Sequence, residues 1–412
     1  MSDEPRPTFL ARVARRPLPV LLGLAVGFLG CCVAGRVAAR QQPFKNFVRF
    51  HPGIAPESHY YPTYSQTLNL ARQHVKPDTT LVLVCGNSVL YGVGQRPAHL
   101  WSKHLQEELG DDYVVLNMAM RGSHPNEFGG LIAEQLAADG VRLVVVTIGS
   151  EGGGWGGLWD GQFYRYFFWD AWGKGQLLPH PPRDRWLTDE FEAQYEYKGD
   201  DPAVRKVLDA QRREALEFRH RGRIDGVAYA ADLWTYIADR YRGTVWTPMK
   251  YPKFWQPHRE LADHEPGALV PWEAGHQPAT VDPELRILRG QFQTGVGYNL
   301  LRGNYYREVG EQYKKFLPPS LEERVLFVLR MEGMYYRNKL PPDERKEYDE
   351  VFRRYRDAVR QAGLNVELVG ERYEERDYAD RSHLSESGGR KLATDLAPTI
   401  RAMNAKLYGP RP

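Results

Sequence analysis

Continuous apolar runs, separated by segments in which apolar residues recur at helical spacing, dominate the hydrophobic pattern of this 412-residue chain. Such runs are typical of parallel strands that are covered on both faces. The pattern predicts five strands, at 79–85, 113–118, 141–148, 324–329 and around 366–368. Because helical segments separate most consecutive strands, we expect an α/β fold with a doubly wound, mainly parallel sheet of about five strands.

The helices are predicted from the spacing of apolar residues and from residues that are typical of helix ends. They are expected near 97–109, 125–138 and 348–359. Gly363 should end the third of these helices, and Ser385 should cap a last one. Four apolar side chains, three or four residues apart, are predicted to form the buried face of this last helix: Leu392, Leu396, Ile400 and Met403.

The alternation of strands and helices stops at 151–319, where the sequence is rich in aromatic residues, glycine and proline. Nine of the ten tryptophans fall in this segment. Helices are predicted within it at 202–219 and 226–242. We interpret the segment as a helical and loop-rich insertion, or lid subdomain, in a body formed by 78–150 and 320–408.

The amino terminus differs from the body in composition. A basic stub, 1–17, precedes an apolar run within 18–39 that is at the short end of the about 17–25 residues of a membrane-spanning helix. Three interpretations are open: a retained signal-anchor, a signal peptide cleaved near Ala39, or a lipid-modified Cys31. We favour an anchor followed by a polar linker at 40–77, with the body outside the cytoplasm in the periplasm or cell envelope. If the apolar segment is cleaved, the protein is secreted.

Composition limits the classes of function. The chain has the 42% hydrophobic and 26% charged residues of a globular protein with a full-sized core. Its net charge of +3, without a basic stripe, argues against nucleic-acid binding. The three cysteines, of which Cys31 and Cys32 are neighbours, do not provide a disulfide framework. No metal-ligand spacing is evident, and we expect neither a metal nor a cofactor.

Two short motifs carry residues that are typical of nucleophilic chemistry. Ser88 lies in Gly86–Gly92, directly after the first predicted strand, where open α/β sheets place their functional groups. Asp380 precedes His383 by three residues, just before the last helix. An imidazole accepts the serine proton near neutral pH when a carboxylate orients it. We therefore predict Ser88 as nucleophile, His383 as base and Asp380 as orienting acid. The alternative is a turn-forming serine and a solvated cluster at a helix start.

Together with Gly122 after the second strand, these motifs resemble the SGNH hydrolases, also called GDSL-type esterases, some of which are membrane-anchored. The resemblance covers 78–150 and 320–408 and leaves the insertion unexplained. It implies a three-layer, flavodoxin-like sheet and a Ser-His-Asp triad.

The resemblance also implies an oxyanion hole. In the family it is formed by the backbone N–H of the nucleophile, here Ser88, a glycine N–H, here Gly122, and an asparagine side chain of a third block. Glu151 stands where that asparagine is expected, and an ionised carboxylate cannot donate a hydrogen bond. Either Ser150, a neighbouring backbone N–H or another residue replaces this donor, or the enzyme is slow.

Substrate contacts are expected from residues beside the predicted triad: Asn87, Glu151, Trp155 and Trp159. The aromatic residues suit sugar rings or an acyl pocket, and the alternatives are a small core of the lid or contact with a membrane surface. The resemblance implies a serine esterase that removes acyl groups, such as O-acetyl groups, from an extracytoplasmic carbohydrate or small molecule. The alternatives are an O-acyltransferase of exopolysaccharide and a catalytically inactive envelope or polysaccharide-binding module.

Overall fold

A computed structural model describes residues 17–41, 64–95, 99–119, 124–125, 129–149, 171, 175–180, 199–203, 205–206, 209, 310–311, 313–315, 317–331, 334–379 and 382–409. The strands are β1 (Thr80–Cys85), β2 (Tyr113–Asn117), β3 (Leu143–Ile148), β4 (Val325–Arg330) and β5 (Asn365–Val369). The helices are α1 (Pro17–Gln41), α2 (Tyr64–Gln73), α3 (Ser88–Tyr91), α4 (Trp101–Leu109), α5 (Gly129–Ala138), α6 (Met334–Asn338), α7 (Pro342–Gln361) and α8 (Glu386–Tyr408).

The five strands form one sheet in the order β2-β1-β3-β4-β5, and every pairing is parallel. All five predicted strands are present, and the α/β prediction is confirmed at this level. Because β1 lies between β2 and β3, the strand order reverses direction beside β1. Open α/β sheets bind ligands outside the carboxyl ends of the strands at such a switch point. The residues that follow β1 and β3 therefore occupy the position where a functional site is expected.

The sheet is covered by helices because its central strands are apolar except at Thr80, Thr147 and Arg330. Every residue of β1, β3 and β4 is buried. α8 packs against α4, β3 and β5, whereas α5 packs against α2, β1 and β3. Burying both faces of a strand requires an element on each side, which explains the continuous apolar runs in the sequence.

The start and the buried face of the predicted last helix, and the end of the helix before it, are also confirmed. Ser385 is the N-cap of α8, where its hydroxyl accepts a hydrogen bond from the backbone N–H of Gly388 at 3.4 Å. The four apolar residues predicted for its inner face are all buried: Leu392, Leu396, Ile400 and Met403. Gly363, with φ of +81°, follows α7 as predicted, since glycine adopts this left-handed conformation without strain.

The prediction of a linker at 40–77 is wrong for its second half. Residues 64–73 form α2, which buries Tyr64, Leu68 and Ala71 against the body. The Tyr64 hydroxyl donates to the carbonyl of Leu131 at 3.4 Å. This helix escapes sequence analysis because it contributes only a narrow apolar stripe in an otherwise polar segment, and that stripe is too short for a clear periodic signal.

The amino-terminal helix α1 is long and apolar enough to cross a membrane, and none of its apolar stretch, Pro17–Ala34, is buried. A signal sequence near an amino terminus has the same properties. Most of the predicted insertion, including the helix expected at 226–242, lies outside the described residues. The described positions of the helix expected at 202–219 are helical.

Candidate active site

Ser88 is presented by a sharp turn at the carboxyl end of β1. Gly86 has φ of +126°, and a Cβ there would lie 3.3 Å from the Ile148 side chain, so this position requires glycine. Asn87 has extended backbone angles and caps α3, because its side-chain oxygen accepts the backbone N–H of Val89 at 3.1 Å. Ser88 is therefore the first residue of a single helical turn.

The turn that carries Ser88 is fixed by two buried donors that share one acceptor. The indole N–H of Trp101 donates to the carbonyl oxygen of Leu90 at 2.7 Å, and the Asn117 amide donates to the same oxygen at 2.9 Å. Asn117 ends β2 and also accepts the backbone N–H of Ala119 at 3.1 Å. Buried polar groups that are fully paired hold their surroundings in one arrangement. The end of β2 and the start of α4 therefore fix the position of the serine.

His383 lies on a short loop, residues 378–385, which we call the histidine loop. It begins after a 3₁₀ turn at Glu375–Asp377 and ends at the first turn of α8. Tyr378 and Leu384 form an antiparallel bridge, and the N–H of Ala379 donates to the carbonyl of His383 at 2.8 Å. These contacts hold together the described residues on the two sides of the loop.

A buried carboxylate holds the base of the histidine loop. Asp377 is 0% exposed, and it accepts hydrogen bonds from Lys391 Nζ at 2.6 Å, Ser387 Oγ at 2.8 Å and the backbone N–H of Glu374 at 2.7 Å. Burial alone would raise the pKa of Asp377, but these three donors outweigh it and hold the pKa below its ordinary value. Because both of its oxygens are bound to these groups, Asp377 is a structural anchor of the loop.

The two predicted reactive groups meet at the carboxyl edge of the sheet. His383 Nε2 lies 2.9 Å from Ser88 Oγ, although the residues are 295 positions apart in the chain. Both side chains are half-buried, so the contact lies at the surface of the body. The predicted proximity of Ser88 and His383 is confirmed. A serine hydroxyl at this distance can donate its proton to the unprotonated ring nitrogen, which is the arrangement that activates a nucleophile.

Of the other predicted site residues, only Asn87 belongs to the part of the chain that the structure describes, where it is the cap of α3. The remaining predicted site residues lie outside the described residues: Asp380, Gly122, Ser150, Glu151, Trp155 and Trp159. The orienting acid, most of the oxyanion hole and the aromatic contacts therefore stay predictions.

No protein-family model, no curated protein and no solved structure gives a significant match to this chain. Within the described ranges, no group of three or more histidine, cysteine or carboxylate side chains is arranged to hold a metal ion.

Proposed function

We propose that this protein is a serine hydrolase of the SGNH type that cleaves carboxylic esters through an acyl-enzyme. The observation that carries the proposal is the contact of 2.9 Å between Ser88 Oγ and His383 Nε2 at the carboxyl end of β1. A resemblance of motifs supports the family, and the parallel sheet with its switch point beside β1 is compatible with it.

The reaction follows from the two groups in contact. Ser88 Oγ transfers its proton to His383 Nε2 while the oxygen attacks the ester carbonyl carbon. When the tetrahedral intermediate collapses, the carbon–oxygen bond to the alcohol breaks, and His383 returns the proton to the leaving oxygen. Water, deprotonated by the same imidazole, then attacks the acyl-enzyme and releases the acid and free Ser88.

Further residues complete the proposed machinery. In this scheme Asp380 orients the His383 ring, and the backbone N–H groups of Ser88 and Gly122 stabilise the oxyanion, with Ser150 as the third donor. Removing one oxyanion donor lowers the rate by about 10²–10³-fold in a well-characterised protease. The presence of Glu151 in place of the family's asparagine therefore affects the expected turnover.

The proposed substrate is an O-acylated carbohydrate outside the cytoplasm. The location rests on α1, whose apolar side chains are exposed and whose length suits a membrane anchor. The choice of a carbohydrate as substrate rests on the resemblance and on the aromatic residues of the insertion. An acyltransferase would use the same acyl-enzyme and pass the acyl group to a sugar hydroxyl instead of water.

The test is hydrolysis of p-nitrophenyl acetate by the full-length protein in detergent. We expect turnover, stoichiometric labelling of Ser88 by a fluorophosphonate, and a loss of at least about 10³-fold in kcat for Ser88→Ala and His383→Gln. His74→Gln, a histidine change just after α2, is the matched control and should retain activity. Equal turnover by wild-type protein and Ser88→Ala would refute the hydrolase. Adding a sugar acceptor separates the two reactions, because a transferase forms acylated sugar faster than free acid.

A further inference from the structure

A buried glutamine connects the segment that carries Ser88 with the histidine loop. Gln95 is 1% exposed and lies seven residues after the serine. Its side-chain N–H donates to the carbonyl oxygen of Leu384 at 3.3 Å, and its side-chain oxygen accepts the backbone N–H of Trp101 at 2.8 Å. One amide thus joins two parts of the chain that are 289 residues apart.

Two glycines allow this close approach. A Cβ on Gly94 would lie 2.8 Å from both the carbonyl oxygen of Leu384 and the side chain of Ala379. A Cβ on Gly389, in the first turn of α8, would lie 2.7 Å from the Gln95 amide nitrogen. A side chain at position 94 would clash with backbone, so the two segments approach closely here only because that residue is glycine. A side chain at position 389 would instead displace the Gln95 amide.

The oxygen and the nitrogen of the Gln95 amide have different partners and different roles. α4 begins without a side-chain cap from its own N-cap residue, Leu100, and the Gln95 oxygen satisfies the free N–H of Trp101. The nitrogen end holds the carbonyl of Leu384, the residue directly after His383. The anchor at Asp377 fixes the base of the histidine loop within its own part of the chain, whereas Gln95 fixes the loop relative to the serine.

We propose that Gln95 is a positioning residue that holds His383 at hydrogen-bonding distance from Ser88. The inference rests on the proposed function, because it assigns Gln95 a role in the serine–histidine reaction. A displacement of about 1 Å in such a pair lowers the rate by about 10²-fold, so a bond next to the histidine has a direct effect on turnover. A glutamine that served only to cap α4 would affect stability and leave kcat unchanged.

Gln95→Glu separates these two roles. The introduced carboxyl keeps an oxygen for the Trp101 N–H but, when ionised, places a second oxygen against the Leu384 carbonyl. We expect kcat for p-nitrophenyl acetate at pH 8 to fall about 10- to 100-fold with KM unchanged. At about pH 5.5 the buried carboxyl is protonated and donates its O–H to Leu384, so the ratio of variant to wild-type kcat should rise several-fold.

Gln106→Glu is the matched control. Gln106 also donates to backbone carbonyls, those of Gly110 and Tyr113, and accepts the N–H of Val115. It belongs to α4, and its partners lie in and just before β2 rather than in the histidine loop. The same substitution there should leave kcat within about twofold of wild type at both pH values. Equal losses of kcat in the two variants, or no loss with Gln95→Glu, would overturn the inference.

A second readout separates this inference from the proposed function. The Cε1–H resonance of His383, assigned with His383→Gln in ¹³C-histidine-labelled full-length protein, reports the position of the ring without substrate. If wild-type protein shows no turnover that depends on Ser88, the hydrolase proposal fails, but a resonance shifted by Gln95→Glu and not by Gln106→Glu still supports the positioning role. An unshifted resonance overturns it. If Gln95→Glu does not fold, Gly94→Ala tests the same contact and should also shift the resonance.

Discussion

Asp377→Asn should destabilise the folded protein strongly while hardly changing the volume of the side chain. The carboxylate accepts from Lys391, Ser387 and the Glu374 N–H. An amide can keep one oxygen for the Glu374 N–H and donate to the Ser387 hydroxyl, but it removes the negative charge that pairs with Lys391. A broken buried ion pair costs about 3–5 kcal/mol. Lys391 is 37% exposed and can turn to water, which reduces its share. We therefore expect a loss of about 2–4 kcal/mol.

The assay is guanidinium unfolding of the full-length protein at pH 7, compared with Asp139→Asn. Asp139 forms a surface ion pair with Arg72, with side chains 32% and 45% exposed, so its loss should cost at most about 1 kcal/mol. If the two variants lost equal stability, the buried anchor would not have the strength that its hydrogen bonds imply.

The same carboxylate predicts a dependence on pH. Because the pKa of Asp377 is lower in the folded state than its ordinary 3.8, the unfolded chain binds this proton more readily. Its contribution to stability is therefore complete above about pH 5, and it is lost as the pH falls through the folded-state pKa. The difference in unfolding free energy between wild type and Asp377→Asn should stay constant from about pH 8 to pH 5 and narrow below about pH 4. A difference that narrows between pH 8 and pH 6 would contradict this account.

Two further predictions concern the cysteines and the amino terminus. Burial raises the pKa of the Cys85 thiol to about 12. Iodoacetamide at pH 8 should therefore modify Cys85 only as fast as the protein unfolds. Modification of Cys85 at the rate of a free thiol would contradict its buried position in β1. If α1 is a retained anchor, the full-length protein should stay in the membrane pellet after alkaline carbonate extraction, whereas recovery in the supernatant would favour a cleaved signal peptide.

The strands could be predicted because burial on both faces favours apolar residues at nearly every position. A short run such as 143–148, which is apolar except for Thr147, suits a covered parallel strand better than an exposed element. Ser88 and His383 could be paired because each lies at the end of an element that the pattern locates. α2 was missed because its apolar stripe is narrow. Gln95 was missed for a different reason: a side chain that bonds a backbone carbonyl 289 residues away leaves no spacing to recognise.

The roles of the paired residues are a separate matter from their proximity. A distance of 2.9 Å between Ser88 and His383 permits proton transfer, but activity also depends on the oxyanion donors. The proposed donors Gly122 and Ser150 fall between the predicted strands and helices, where sequence pattern constrains conformation least.

The long separation of Ser88 and His383 along the chain has a consequence for biosynthesis. At about 5–20 residues per second, the ribosome needs about 15–60 s to translate the 295 residues between Ser88 and His383. During that time α1 has already emerged, while the nascent hydroxyl has no imidazole beside it. A product that terminates between residues 88 and 383 would carry Ser88 and lack His383, so the proposed serine–histidine pair can form only after His383 has been translated.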